Sequence, residues 1–177
     1  MITWKTITIY GGVVAVISAV ISSRKSKPAT PRRVALIGDS YTVGLGPELA
    51  KLIPDFRYEG FVGTRTDQWA SHAQACGHCG DWLAAFKPSV VLVSLGTNDG
   101  ASPNPANYQA IVRTIHGIGA RVVWIEPPTA VKVPAVRAVI ASLGVPTVPA
   151  PTLPMASDGL HPKSYSSWAA EIVQEAA

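Results

Sequence analysis

The chain has 177 residues, 47% of them hydrophobic and 15% charged, a balance that suits one globular domain with a sizeable core and excludes a disordered chain. Its formal charge of +4 is unevenly placed: Lys5, Arg24, Lys25, Lys27, Arg32 and Arg33 precede any acidic residue, and from Val34 onward nine Lys/Arg face all eleven Asp/Glu. The basic excess therefore belongs to an N-terminal arm. With no basic stripe interleaved with aromatics, the body of the chain makes no nucleic-acid partner.

Ile7 to Ile21 is almost wholly apolar and is followed by Ser22-Ser23-Arg24-Lys25-Ser26-Lys27. The stretch is shorter than the ~20 residues of a typical membrane span and fits the core of a secretory signal better. No clean Ala-x-Ala site follows, and the basic residues favour keeping that flank in the cytoplasm. Residues 1–23 read as a signal peptide or a membrane anchor, with membrane association through residues 7–22. Residues 24–32 read as a basic, Pro-containing linker and residues 33–177 as the folded domain. This arrangement implies a membrane-associated or secreted protein of the cell envelope rather than a cytoplasmic one.

Val34-Ala35-Leu36-Ile37, bounded by Arg33 and Gly38, is a continuous apolar run, the pattern of a parallel strand covered on both faces. It ends at Gly38-Asp39-Ser40, and a helical pattern is expected from Gly44 to Ile53. Phe56 to Val62 predicts a second strand closed by Gly63, and Thr66-Asp67 starts a helix carrying Trp69 and Ala73. Asp81 to Phe86 predicts a short helix stopped by Lys87-Pro88. Ser89 to Leu95 is the clearest buried strand, and it ends at another polar turn, Gly96-Thr97-Asn98-Asp99-Gly100. A helix over Asn104 to Gly117, a strand over Arg121 to Ile125, a helix over Val133 to Leu143 and a short strand at Thr147-Val148 follow. Asp158 to Pro162 is a loop, and Ser164 to Ala176 a closing helix with Trp168, Ile172 and Tyr165 turned inward. Strands alternating with helices at this spacing predict an α/β fold, a parallel sheet of about five strands with helices on both faces.

On a parallel sheet the carboxyl ends of all strands share one edge, where α/β folds place their ligands. Ser40, Gly63 and Asn98 fall on that edge, and the loop carrying Asp158 and His161 has only to fold over it. A serine hydroxyl becomes a nucleophile when a base takes its proton, and histidine has the pKa for that work. Asp158 can fix the imidazole of His161 in one tautomer. The N–H groups of Ser40 and Gly63 and the side-chain amide of Asn98 can converge as an oxyanion hole. Each element has a plainer account by itself: Gly38-Asp39-Ser40 as turn and N-cap, Asn98-Asp99-Gly100 as a turn, His161 as a surface side chain. Asp39 reads as a structural hydrogen-bond partner at the strand end, and Ser164 is better placed than Asp158 to cap the last helix.

Gly38-Asp39-Ser40, Gly63, Gly96-Thr97-Asn98-Asp99 and Asp158-Gly159-Leu160-His161 resemble, in order and spacing, the motif blocks of the SGNH/GDSL hydrolases. The resemblance runs from about Arg33 to the C-terminus. It implies a flavodoxin-like three-layer α/β/α fold and no metal or organic cofactor. It also implies Ser40 as nucleophile, His161 as general base and acid, Asp158 as its orienter, and Gly63 and Asn98 as oxyanion donors. Tyr41 departs from the leucine the family often has after its serine, a change expected to alter the pocket wall more than the chemistry. The chain is short for the family, which implies trimmed loops and a shallow, open site.

The expected activity is that of a serine esterase acting through an acyl-enzyme on short-chain or O-acetyl esters, with an acetylated glycan as the favoured substrate. A lipid acyl-hydrolase or thioesterase of the same family is the alternative. Outside the enzyme class stand an inert glycan-binding module on the same fold and a membrane-tethered scaffold. Cys76-Gly77-His78-Cys79 admits a redox pair, a zinc site with His78 or His72, or a local disulfide or free thiols. The last of these is preferred, because no second ligand pair accompanies the cysteines and no first thioredoxin-like strand precedes them. Among the five tryptophans, Trp69, soon after Gly63, is the one expected near the pocket.

Overall fold

The computed structural model describes residues 32–71 and 80–176. The apolar arm and the segment holding His72, Cys76, His78 and Cys79 lie outside the described residues. Among the described residues no helix is long and apolar enough to cross a membrane.

The apolar runs form one sheet of five strands: β1 (Val34–Gly38), β2 (Phe56–Gly60), β3 (Val90–Ser94), β4 (Arg121–Ile125) and β5 (Thr147–Val148). Every pairing is parallel and the spatial order is β2-β1-β3-β4-β5. This is the flavodoxin-like order, in which the winding reverses between β1 and β3 and opens a crevice at their carboxyl ends. The two strands flanking that crevice, β1 and β3, are buried at every position, as their unbroken apolar sequences require.

Alternation along the strands sends side chains to two separate cores. Ala35, Ile37, Val91, Val93, Val122 and Trp124 face α2 (Thr66–Ala70), α3 (Asp81–Phe86), α4 (Pro105–Gly117) and α5 (Pro134–Ser142), which contribute Trp69, Leu83, Ile111, Ile115 and Ile140. Val34, Leu36, Val90, Leu92, Val123 and Ile125 face α1 (Ser40–Leu52) and α6 (Ser166–Ala176) through Leu45, Leu49, Trp168 and Ile172. The fold is thus a three-layer α/β/α sandwich, as expected.

Several element boundaries shift by one or two residues from the sequence reading and the start of α1 by four, and one side chain is misplaced by it. α1 begins at Ser40 rather than Gly44. Gly44, Gly46 and Pro47 weaken a helix by propensity, but the glycines here make room for neighbours. A Cβ on Gly44 would stand 2.3 Å from the Tyr165 ring, and one on Gly46 2.3 Å from the Tyr58 ring. β2 stops at Gly60, where its partner β1 ends: the Phe61 N–H makes the last rung of the ladder to the Gly38 carbonyl at 3.1 Å. Trp69 does not line a site pocket: it is 5% exposed and packs in the core with Ile37 and Leu83, since α2 lies against α4 and turns its apolar side to the sheet.

Candidate active site

The site grows out of the end of β1. Gly38 has φ of +156° and its own α-carbon lies so close to β3 that a Cβ would stand 2.0 Å from the Ser94 carbonyl oxygen. Only glycine fits there. Asp39 follows, its N–H donating to Ser94 O at 3.0 Å. Its side chain caps α1 by accepting from the Tyr41 N–H at 3.0 Å. Ser40 is therefore the first residue of the helix, half-buried, with a backbone N–H that has no partner within the helix.

The opposite half of the site is a latched loop between β5 and α6. The loop closes on itself through Ala156 N–H to His161 O at 2.7 Å and an antiparallel bridge between Met155 and Pro162. One oxygen of Asp158 accepts the N–H groups of Leu160 and His161, both at 2.9 Å, and the other faces His161 Nδ1 at 2.8 Å. Because a carboxylate only accepts, Nδ1 carries the ring proton and Nε2 presents its lone pair. That Nε2 lies 2.9 Å from Ser40 Oγ, across 121 residues of chain. The backbone N–H of His161, foremost, and then its ring hold the Asp158 carboxyl down at about 2. The histidine and aspartate side chains keep 31% and 50% of their exposure, so the relay is open to solvent.

Asn98 and Gly63 complete the rim. Asn98 Nδ2 donates to Thr64 O at 3.0 Å, and its second hydrogen faces Asp39 Oδ2 across a long 3.5 Å. One amide hydrogen thus fixes the side chain and the other is weakly engaged, free to turn to a stronger acceptor. Gly63 immediately precedes Thr64 in the loop after β2, exposed and with φ of +76°. The sequence-predicted residues therefore fall into two hydrogen-bonded sets, Ser40 with His161 and Asp158, and Asn98 with the Gly63-Thr64 loop. Asp39 stands between the sets, one residue before Ser40 and beside Asn98.

Asp39 is a structural N-cap, as expected, but it is also fully buried. Burial, opposed by the Tyr41 N–H and reinforced by the charge of Asp99, raises its carboxyl to about 7. Tyr41 does more than form a wall. It is 1% exposed, its hydroxyl donates to Leu160 O at 2.9 Å, and its ring meets His161 edge-on at 5.8 Å. Asp99, read from sequence only as part of a turn, accepts from the N–H of Thr66 at 3.0 Å and from its hydroxyl, tying the loop after β3 to α2. No sequence pattern announced these two partners, because both are contacts between loops far apart in the chain. At the start of α6 the Ser164 hydroxyl accepts from the Ser166 N–H at a long 3.4 Å, whereas Asp158 turns to Leu160 and His161. Among the described residues no group of three or more His, Cys, Asp or Glu is placed to hold a metal ion.

Residues 36–177 match the GDSL-like lipase/acylhydrolase family. No curated protein matches the chain in sequence. Similar folds occur in a GDSL-like lipase from Bacteroides thetaiotaomicron, with 16% identity and a TM-score of 0.61 over 82% of this chain and 86% of that one. An acetylxylan esterase from Geobacillus stearothermophilus, in a catalytic-mutant form, gives 14% identity and a TM-score of 0.62 over 84% of this chain and 95% of that one. TesA gives 20% identity and a TM-score of 0.55 over 81% of this chain and 95% of that one.

Proposed function

Because the chain belongs to the GDSL-like lipase/acylhydrolase family and is an ester hydrolase, we propose that Ser40 is its nucleophile and that it removes short acyl groups, acetyl above all, from a carbohydrate. The observation that carries this reading is the 2.9 Å contact of Ser40 Oγ with His161 Nε2, backed by the 2.8 Å contact of Asp158 with Nδ1. As Ser40 Oγ attacks the ester carbonyl, its proton passes to Nε2, and Asp158 stabilises the imidazolium that results. The N–H groups of Ser40 and Gly63 and the amide of Asn98 receive the charge on the carbonyl oxygen. His161 then returns the proton to the departing alkoxide, leaving Ser40 acylated. A water attacks by the same route, with His161 again the base, and releases the acid.

The substrate choice rests on the openness of the relay and the polar side chains around it, which suit a small acyl group on a bulky, hydrated alcohol. One observation favours a second reading. Val62, next to Gly63, is 77% exposed, and a longer acyl chain of a lipid or thioester could lie along it. A fluorophosphonate probe should label Ser40, and hydrolysis should be faster with acetyl than with decanoyl esters of one alcohol. An unlabelled Ser40 would remove the nucleophile assignment, and a preference for the decanoyl ester would favour the lipid reading.

For its setting, the apolar stretch between residues 7 and 22 and the basic residues after it support export to, or tethering at, the cell envelope. Membrane fractionation and the mass of the mature protein separate the two, and soluble, full-length protein would count against both.

A further inference from the structure

The loops that carry Gly63 and Asn98 continue into the lining of a cleft of about 400 Å³, which includes Arg65, Asp67, Asp99, Ser102, Asn104 and Asn107. Its size falls in the ~300–1,000 Å³ range of small-molecule sites. None of Ser40, Asp158 and His161 lines it, and two hydrogen-bonded bridges set where it begins. Asn98 joins Thr64 across the rim at 3.0 Å, and next in the chain Asp99 joins Thr66, at 3.0 Å from its N–H. Asp99 and Thr66 then form the near wall of the cleft. The cleft therefore starts one residue, ~3.8 Å of Cα path, from the proposed oxyanion donor Asn98.

The one guanidinium in this cleft is already paired, and the carboxylates of Asp67 and Asp99 outnumber it. Arg65 donates to both oxygens of Asp67, at 3.1 and 2.7 Å, and the oxygens of Asp99 are taken by Thr66. An anionic ligand would find no free cation among these groups. Neutral hydrogen-bonding groups remain. Asn104 spends its Oδ1 on the N–H of Ala106 at 3.1 Å and keeps its NH2 as a donor. The Asn107 amide and the Ser102 hydroxyl have no side-chain partner among the described residues. An acyl chain seated here would strip these groups of water and return nothing. A ring bearing several hydroxyls would satisfy them.

We infer that this cleft is the subsite for the alcohol part of the ester, taking one neutral sugar ring of an acetylated glycan while the acetyl carbonyl sits at Ser40. The inference rests on the esterase reading above and adds to it where the sugar lies and which side chains select it.

The test compares two esters and one binding measurement. The esters are methyl 2-O-acetyl-β-D-xylopyranoside, which keeps two free hydroxyls and the ring oxygen, and p-nitrophenyl acetate, whose alcohol carries neither. Asn107→Ala, at a helical position where alanine is well tolerated, and Ser102→Ala should together lower the ratio of the two kcat/KM values by about fivefold or more, the effect expected for lost hydrogen bonds. An unchanged ratio overturns the subsite while leaving the esterase standing. The binding arm titrates Ser40→Ala protein with the same acetylated pyranoside by calorimetry, and is independent of turnover. Saturable binding, weakened by adding Asn107→Ala, supports the subsite. Absent binding, or binding indifferent to Asn107, overturns it. Failure of wild-type protein to cleave either ester counts against the esterase reading instead.

Discussion

Asp158 holds His161 at both ends of the residue: one carboxylate oxygen accepts its backbone N–H at 2.9 Å while the other meets ring Nδ1 at 2.8 Å. The same carboxylate therefore shapes the loop and sets the tautomer. Asp158→Asn keeps the size of the side chain but puts an NH2 where one acceptor stood. Losing the correct tautomer in such a relay costs about 10⁴ in kcat, and p-nitrophenyl acetate hydrolysis should fall by about that factor. The pH dependence has a defined sign. The carboxyl is depressed from 3.8 to about 2, so its contribution to loop stability is complete above the ordinary value and fades as pH falls towards 2. Carboxyl chemical shifts of Asp158 followed from pH 5 to pH 2 check this, and a midpoint near 4 would contradict it.

Asn98 sits with one amide hydrogen fixed on Thr64 O and the other only loosely held at 3.5 Å from Asp39. A donor that strengthens its bond as negative charge develops acts on the transition state more than on the bound substrate. Asn98→Ala should lower kcat by about 10²–10³ with little change in KM. A rise in KM at unchanged kcat would assign Asn98 to substrate binding instead.

Burial raises the Asp39 carboxyl from 3.8 to about 7. The folded protein then keeps a proton that the unfolded chain gives up, so this group's contribution to stability is fully present below pH 3.8 and declines as pH rises to about 7. Asp39→Asn removes the titration and remains a good N-cap. The Tm of the variant minus that of wild type should therefore increase by about 5–10 °C between pH 5 and pH 8. A constant difference would show that Asp39 titrates at its ordinary value.

The backbone of the nucleophile turn leaves no room at Gly38, where a Cβ would stand 2.0 Å from Ser94 O and 2.5 Å from Thr42 Oγ1. The first of these atoms belongs to a buried central strand and cannot retreat. Gly38→Ala should destabilise the domain by about 4 kcal/mol or more, read as a loss of soluble protein or a lower urea midpoint. By contrast, Gly63 has open space around its missing Cβ, and Gly63→Ala meets only the strain of its positive φ, about 1–2 kcal/mol.

The contrast between these glycines illustrates what the sequence could reveal. The unbroken apolar runs from Val34 and Val90 predicted parallel, doubly covered strands, and hence a shared edge for Ser40 and Asn98. Asp158 was read as the partner of the His161 ring, but its hold on the His161 backbone N–H, which shapes the loop, came only with the structure. The start of α1 was hidden because Ser40, Tyr41, Thr42 and Val43 are weak helix formers, drawn into the helix by the Asp39 cap and by the reach of Tyr41 to Leu160 in a distant segment. Trp69 was misread for a related reason. Its position soon after Gly63 pointed to the rim, and only the packing of α2 on α4 turned it into the core.

Tyr41 links the two halves of the site more directly than the sequence suggested. Its hydroxyl donates to the Leu160 carbonyl at 2.9 Å, and its ring stands edge-on to both His161, at 5.8 Å, and Trp168, at 5.5 Å. It leaves β1 with the nucleophile and fastens the loop that carries the base, so it acts as a positioning residue through His161. Tyr41→Phe keeps the ring contacts and deletes only the hydroxyl, leaving the Leu160 carbonyl to seek another donor. Losing such a hydrogen bond costs about 1 kcal/mol in stability. A merely structural role would stop there. If the hydroxyl sets the reach of His161 to Ser40, kcat for p-nitrophenyl acetate falls by about fivefold or more at unchanged KM, because a small displacement of a reacting group is expensive. Fluorophosphonate labelling of Ser40 should slow in step with kcat. A lowered Tm with wild-type kcat and labelling rate would reduce Tyr41 to a core residue.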